Sequence, residues 1–329
     1  MATLRLTDII EPSSFTEYQI QESMQKTALV RAGVAVQNPV IASQLAAGAQ
    51  SFTVPFWHDL ADDEANIVND DPAILSSPKK IGSGKQIIRK SFLHQSWSAM
   101  NLASEIAGDD ALMRIQSRVL AYWDRQLQRR LVASLRGILA DNVATDASDM
   151  VVDISAETDA AGVFGAEAVI DASGTLGDSM NDLVAIGMHS DVYRRALKND
   201  LIEFIPDSQG GTIATFRGLA TVVDDGLPVD GGNYTSVLFG RGAVGYGAAA
   251  PQIAEGTEVE NLPSAGRGGG QQILHSRMNI GMHPAGFSWQ ETTVSDESPS
   301  LSELILADNW TRTVERKAVP LAFLIARVE

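Results

Sequence analysis

Residues 109–142 read DDALMRIQSRVLAYWDRQLQRRLVASLRGILADN, one uninterrupted helix signature. At about 3.6 residues per turn, Arg114, Arg118, Arg125, Arg129 and Arg136 fall within a stripe roughly 60° wide. Leu112, Ile115, Val119, Tyr122, Trp123, Leu127, Leu131, Leu135 and Ile138 cover much of the remaining circumference, the pattern of a helix packed on two sides with one polar seam. The stretch is a structural beam, and the segments on either side say what it supports.

The chain of 329 residues, 44% hydrophobic and 20% charged, has the apolar content for a substantial core divided into two or three lobes. Its first residues hold no apolar signal region, and the longest apolar run, near Ala318–Ala326, contains Pro320 and is too short to span a bilayer. A soluble protein with no membrane partner is expected. The absence of cysteine excludes disulfides, thiolate metal sites and a cysteine nucleophile, and fits a reducing cytoplasm. The formal charge of −16 is uneven, since residues 137–193 carry eleven acids and neither Lys nor Arg. Phosphate neutralisation supplies most non-specific nucleic-acid affinity, so tight DNA binding is not expected. An acidic wall that encloses nucleic acid without adhering to it fits this balance, as does plain solubility.

Before the helix, residues 1–50 show an amphipathic piece around Thr16–Arg31 and a small-residue stretch at Ala42–Ala49, with no core of their own; they read as an arm held by contacts. Gln50–Phe56 alternates, with Phe52, Val54 and Phe56 on one face, and Lys85–Trp97 reads as its return strand. Between them runs a long polar tip that begins acidic at Asp59, Asp63 and Glu64 and ends basic at Lys79 and Lys80. A connection of that length without a core marks either a partner-binding loop or a flexible excursion.

After the helix, Val151–Ile154 reads as a short strand, followed by helix at Ala166–Leu183, strand Val184–Met188, helix Asp191–Asn199 and strands at Leu201–Ile205, Thr212–Phe216, Leu219–Val223 and Tyr234–Phe239. This is a small α/β lobe. Beyond the glycine-rich break at Ser264–Gly270 come strands at Gln272–Gly281 and Gly286–Gln290, a helix from Leu301 to about Thr313 and a last apolar strand, Leu321–Val328. The lobe therefore reads as an insertion between two parts of another domain.

Catalytic signals are weak. Gly240-Arg-Gly-Ala-Val-Gly245 has the spacing of a dinucleotide fingerprint, but Pro251 and an aperiodic stretch follow where that fold needs a helix, so it reads as a glycine-relieved strand or turn. His58, His94, His189, His275 and His283 never fall at metal-ligand spacing on a helix. No catalytic residue, cofactor or metal site is assigned, and no enzyme is expected.

The order of parts, an arm, a long hairpin with a charged tip, a spine helix, an inserted α/β lobe and a return to strands, resembles the major capsid proteins of tailed bacteriophages. Their fold is the α+β Hong Kong 97-like capsid fold. Phe52-Thr-Val-Pro-Phe-Trp57 in the hairpin, Tyr122-Trp-Asp-Arg125 through Leu131-Val-Ala-Ser-Leu-Arg-Gly137 in the spine, and later Val184-Ala-Ile-Gly-Met-His189, Val222-Val-Asp-Asp-Gly-Leu-Pro228 and Ser236-Val-Leu-Phe-Gly240 are similar to stretches of that family.

The resemblance implies an N-terminal arm over 1–50, an extended loop over 51–98, a peripheral domain over 99–165 and 262–329 with its spine helix at 110–141, and an axial domain over 166–261. It implies self-assembly into pentamers and hexamers of a virion capsid around double-stranded DNA, in the host bacterial cytoplasm. Only about fifty residues precede the hairpin, so a separate scaffolding protein is expected, with a portal protein and an optional decoration protein as further partners. The candidate assembly contacts are Phe56, Trp57, Lys79, Lys80 and Lys90 in the hairpin and Arg114, Arg118, Arg125, Arg129 and Arg136 on the spine, the arginines facing carboxylates of the arm or a neighbour in preference to DNA. The rival readings are an encapsulin-like compartment and, more distantly, a dinucleotide-binding enzyme.

Overall fold

In a computed structural model of the chain, residues 28–60, 63–73, 75–206 and 212–329 are described. Three short elements come first, α1 (Ala28–Arg31), β1 (Ala35–Gln37) and α2 (Pro39–Leu45), then the hairpin strands β2 (Ser51–Trp57) and β3 (Ser83–Met100). The expected amphipathic piece at Thr16–Arg31 lies outside the described residues except for α1. Helix α3 (Asn101–Ala107) closes on Gly108, whose φ of 70° turns the chain into the long helix α4 (Ala111–Thr145), 35 residues or about 52 Å. The Asp110 carboxylate caps α4 by accepting from the Leu112 and Met113 amides at 2.9 and 3.2 Å.

Beyond α4 lie β4 (Val151–Asp153), α5 (Ala166–Gly174), β5 (Leu183–Met188), α6 (Ser190–Lys198), β6 (Glu203–Pro206), β7 (Thr212–Phe216), β8 (Leu219–Val223), β9 (Val229–Asp230) and β10 (Asn233–Gly240). The chain continues through β11 (Val244–Ala249), β12 (Thr257–Leu262), β13 (Gln271–Pro284), β14 (Phe287–Trp289), α7 (Leu301–Leu304), β15 (Trp310–Arg312) and β16 (Leu321–Arg327).

Two large sheets organise these elements. The first runs β1-β11-β13-β3-β2 with β12 also on β13, and the second runs β4-β16-β10-β5-β8-β7-β6 with β9 on β10. In the first, one face of β3 and β13 packs Leu93, Trp97, Leu274 and Met278 against Leu112, Ile115, Val119, Tyr122 and Trp123 of α4, and the Trp123 indole donates to Ser276 Oγ at 2.9 Å. In the second, alternate residues of β16 enter two different cores: Leu321 and Phe323 join the one that holds Leu131, Leu135 and Ile138 of α4, while Ala322, Leu324 and Ala326 join the one under α5 and α6. A strand buried on both faces reads as a continuous apolar run, which is what residues 321–326 show.

Strand pairing divides the chain differently from the expected segments. β11 and β12 belong to the hairpin sheet, although residues 166–261 were expected in the α/β lobe, and β16 belongs to the α/β sheet, although 262–329 were expected outside it. Two expected helices are also shorter. The one at Ala166–Leu183 ends with α5 at Gly174, and Gly177 at φ 62° starts a 3₁₀ turn. The one at Leu301–Thr313 ends at Leu304 because side chains take the carbonyls that a continuing helix would use: Asn309 Nδ2 donates to Glu303 O and Trp310 Nε1 to Leu304 O, both at 2.9 Å.

Candidate assembly surfaces

The hairpin builds the first surface. Phe56 on the inner face of β2 is half-buried and lies against Gly84, where an added Cβ would come within 2.5 Å of the ring. Trp57, one residue on, points outward and is 70% exposed, as the strand's period of two requires. Past it, the loop between β2 and β3 presents Leu60, Ile67, Val68 and Leu75 to solvent, with no core beneath them among the described residues. The acidic and basic sides of the tip meet within the loop, where Lys79 Nζ lies 2.6 Å from Asp63 Oδ2, each side chain more than half exposed. Lys80 is exposed and, among the described residues, makes no ion pair.

Lys90 corrects the expectation set by its sequence position. It is completely buried, and its ammonium donates to the Ala47 and Gly48 carbonyls at 2.6 and 3.5 Å, so it fastens the base of the hairpin to the segment after α2 instead of meeting a neighbour. Burial lowers its pKa from the ordinary lysine value. Arg89 beside it, 6% exposed, donates to Gln50 O at 2.9 Å and Glu297 O at 3.0 Å and pairs with Glu291 at 2.9 Å. Both residues sit in a strand that alternation alone would give one inward and one outward side chain; the fold covers both faces there, which local pattern does not reveal.

The arginine stripe forms the second surface, along two successive hollows on α4. Arg114, Arg118 and Arg125 line one of about 270 Å³ over Trp97, Ile115 and Tyr122. Arg125, Arg129 and Arg136 line another of about 560 Å³, shared with Asp224, Asp225, Val132, Leu301 and Ile305. Arg114 pairs with Asp109 at 2.9 Å, and its neighbours Arg118 and Arg125 are half-buried, whereas Arg129 and Arg136 are exposed. Burial raises the Asp224 carboxyl, opposed by the Gly226 amide at 2.7 Å and by the Gln128 side chain. The most buried arginine of α4 is off the stripe: Arg130 is 7% exposed, donates to Ser91 Oγ and Pro299 O, both at 3.0 Å, and is lowered by burial to about 10.

The residues of the dinucleotide-like motif form no cradle for a cofactor. Gly240 ends β10, Gly242 turns at φ 68°, and β11 begins at Val244 where a phosphate-binding helix would have to start. An added Cβ at Gly240 would lie 2.7 Å from Pro320, so close packing explains that glycine.

A projecting hairpin, a long spine helix across one sheet and an α/β lobe built on a second sheet make up the Hong Kong 97-like fold of shell-forming subunits. The chain aligns with the Cyanophage Pam1 capsid asymmetric unit at a TM-score of 0.61 and 11% identity, over 96% of this chain and 97% of that one. It aligns with the holo-SrpI encapsulin complex from Synechococcus elongatus at a TM-score of 0.54 and 12% identity, over 95% of this chain and 91% of that one. Sequence separates the two. The chain is 34% identical over 327 residues to the major capsid protein of Bacillus phage SPP1, covering 97% of each, and residues 124–319 match the family described as Major capsid protein 13-like. The chain belongs to this family of phage major capsid proteins.

Proposed function

We propose that the chain assembles into the pentamers and hexamers of an icosahedral phage head that encloses double-stranded DNA. The observation that carries this reading is the hairpin loop, where Trp57, Leu60, Ile67, Val68 and Leu75 are between 70% and 95% exposed. Large apolar side chains on a segment without a core are stabilised when a partner covers them, which ties ordering of the loop to association. In this reading residues 51–98 reach over a neighbour, the spine and its sheet form the peripheral domain, and residues 166–261 supply most of the axial domain around capsomer centres. Phe56, Trp57, Lys79 and Lys80 act at the loop contact, and the stripe from Arg114 to Arg136 meets carboxylates of the arm or of an adjacent subunit.

A separate scaffolding protein, a portal and an optional decoration protein complete the partners, with assembly in the host bacterial cytoplasm and a structural, non-catalytic role. Electron microscopy of the chain expressed with a candidate scaffold tests this. Removal of residues 62–80 leaves a soluble subunit that forms no shells, and shells of normal shape from that deletion would refute the loop's role. The likeness to an encapsulin complex supports a second reading as a protein-storing compartment, which particles holding a cargo protein and no DNA would favour.

A further inference from the structure

The face of the β12-β13-β3 sheet that turns away from α4 brings together groups far apart in sequence. His94 lies opposite Arg277 in register, and His275 lies between Ser96 on one side and Glu258 on the other, so the two imidazoles are diagonal neighbours across β3 and β13. His94 Nε2 is 3.2 Å from His275 Nδ1, with ring centroids 5.4 Å apart and planes inclined at 26°. The other nitrogen of His275, Nε2, is 3.2 Å from Glu260 Oε2. Arg277 is drawn aside by Glu258 and by Glu255 O, both at 3.1 Å.

We propose that His94 and His275 form a two-imidazole site for a divalent transition metal such as Cu²⁺, Ni²⁺ or Zn²⁺, with Glu260 orienting the His275 ring. Two nitrogens bound about 2.0–2.1 Å from one metal at angles between octahedral and tetrahedral lie about 2.8–3.4 Å apart, and the observed 3.2 Å falls within that range. A carboxylate on the distal nitrogen of a ligating histidine fixes its tautomer and raises its basicity, and Glu260 occupies that position. Without metal, the His94 Nε2–H donates to His275 Nδ1. With metal, both nitrogens offer lone pairs and His94 carries its proton on Nδ1. The chain has no cysteine, which leaves imidazole as its natural donor for such ions. Among the described residues no three His, Asp or Glu side chains converge on one point, so water completes the coordination shell. The ion would clip β3, the strand that carries the hairpin, to β13.

Titration of the full chain with Cu²⁺ and with Ni²⁺, read by calorimetry and by the nitrogen couplings in the Cu²⁺ electron paramagnetic resonance spectrum, tests the site. The expected result is one site with two equatorial nitrogens, Cu²⁺ tighter than Ni²⁺, and no binding of Mg²⁺. His94→Ala and His275→Ala each weaken binding at least tenfold, while Glu260→Gln keeps the stoichiometry and weakens it roughly 10-fold. His58→Ala leaves it unchanged. All three positions of the site are on a solvent-facing sheet surface, and near-ultraviolet circular dichroism checks that each variant is folded. Wild-type affinity in folded His94→Ala, or a nitrogen count that this substitution does not change, overturns the proposal.

Discussion

Asp141→Asn stabilises the subunit at neutral pH and loses that advantage in acid. Asp141 sits in the last turns of α4 at 2% exposure; its Oδ1 accepts from Thr145 Oγ1 at 3.0 Å, while among the described residues its Oδ2 has no hydrogen-bond partner, and neither does the buried Oδ2 of Asp146. Burial raises the carboxyl from 3.8 to about 6, with Asp146 adding to the rise and Thr145 and Arg312 opposing it. That rise corresponds to about 3 kcal/mol of disfavour for the charged form in the native state, and local relaxation reduces the net gain of the substitution to about 1–2 kcal/mol. Because the native value lies above the unfolded one, the penalty is complete above neutrality and is relieved as pH falls through about 6 toward 3.8. The stability difference between variant and wild type therefore narrows by about 1 kcal/mol from pH 7.5 to pH 5. Urea unfolding followed by tryptophan fluorescence at both pH values measures it. A variant less stable at pH 7.5, or a difference independent of pH, refutes the reasoning.

Gly137→Ala destabilises the subunit by about 2–3 kcal/mol, because the new Cβ would lie 2.1 Å from Leu304 O and 2.4 Å from Trp310 Nε1; thermal unfolding measures it. Lys90→Ala leaves a cavity and the Ala47 carbonyl without its donor, with an expected loss of about 2–4 kcal/mol. Hydrogen exchange would locate that loss at the base of the hairpin.

The spine was legible because one apolar pattern persists from Leu112 to Ile138 with no Pro and a single Gly, so the expected 110–141 and the observed Ala111–Thr145 nearly coincide. The strands β5, β7, β8 and β10 were legible for the same reason, being short apolar runs between turn residues. β11 was only partly legible, because the glycines from Gly240 to Gly245 fit a relieved strand and a turn equally. The structure requires glycine within this strand: α2 crosses it there, and a Cβ on Gly247 would meet the Ala42 amide at 2.8 Å. β12 was hidden by its exposed, polar composition at a sheet edge. At the surfaces, helical periodicity exposed the arginine stripe, but the burial of Lys90 and Arg130 and the meeting of His94 with His275, 181 residues apart, come from pairings that no local pattern encodes.

β16 closes the second sheet. It lies between β4 and β10, parallel to β4 with Val152 beside Leu324, and it supplies residues to the cores on both faces of its sheet. Every other strand of that sheet precedes it in the chain, so neither core is complete until residues 321–327 have been synthesised and docked. Parallel pairing across so long a separation gives a high contact order, and slow closure follows from it. A nascent subunit would thus carry an unfinished lobe while its hairpin is already made. Competence to join a lattice would arrive with the last strand, a delay that protects a growing shell from half-built chains.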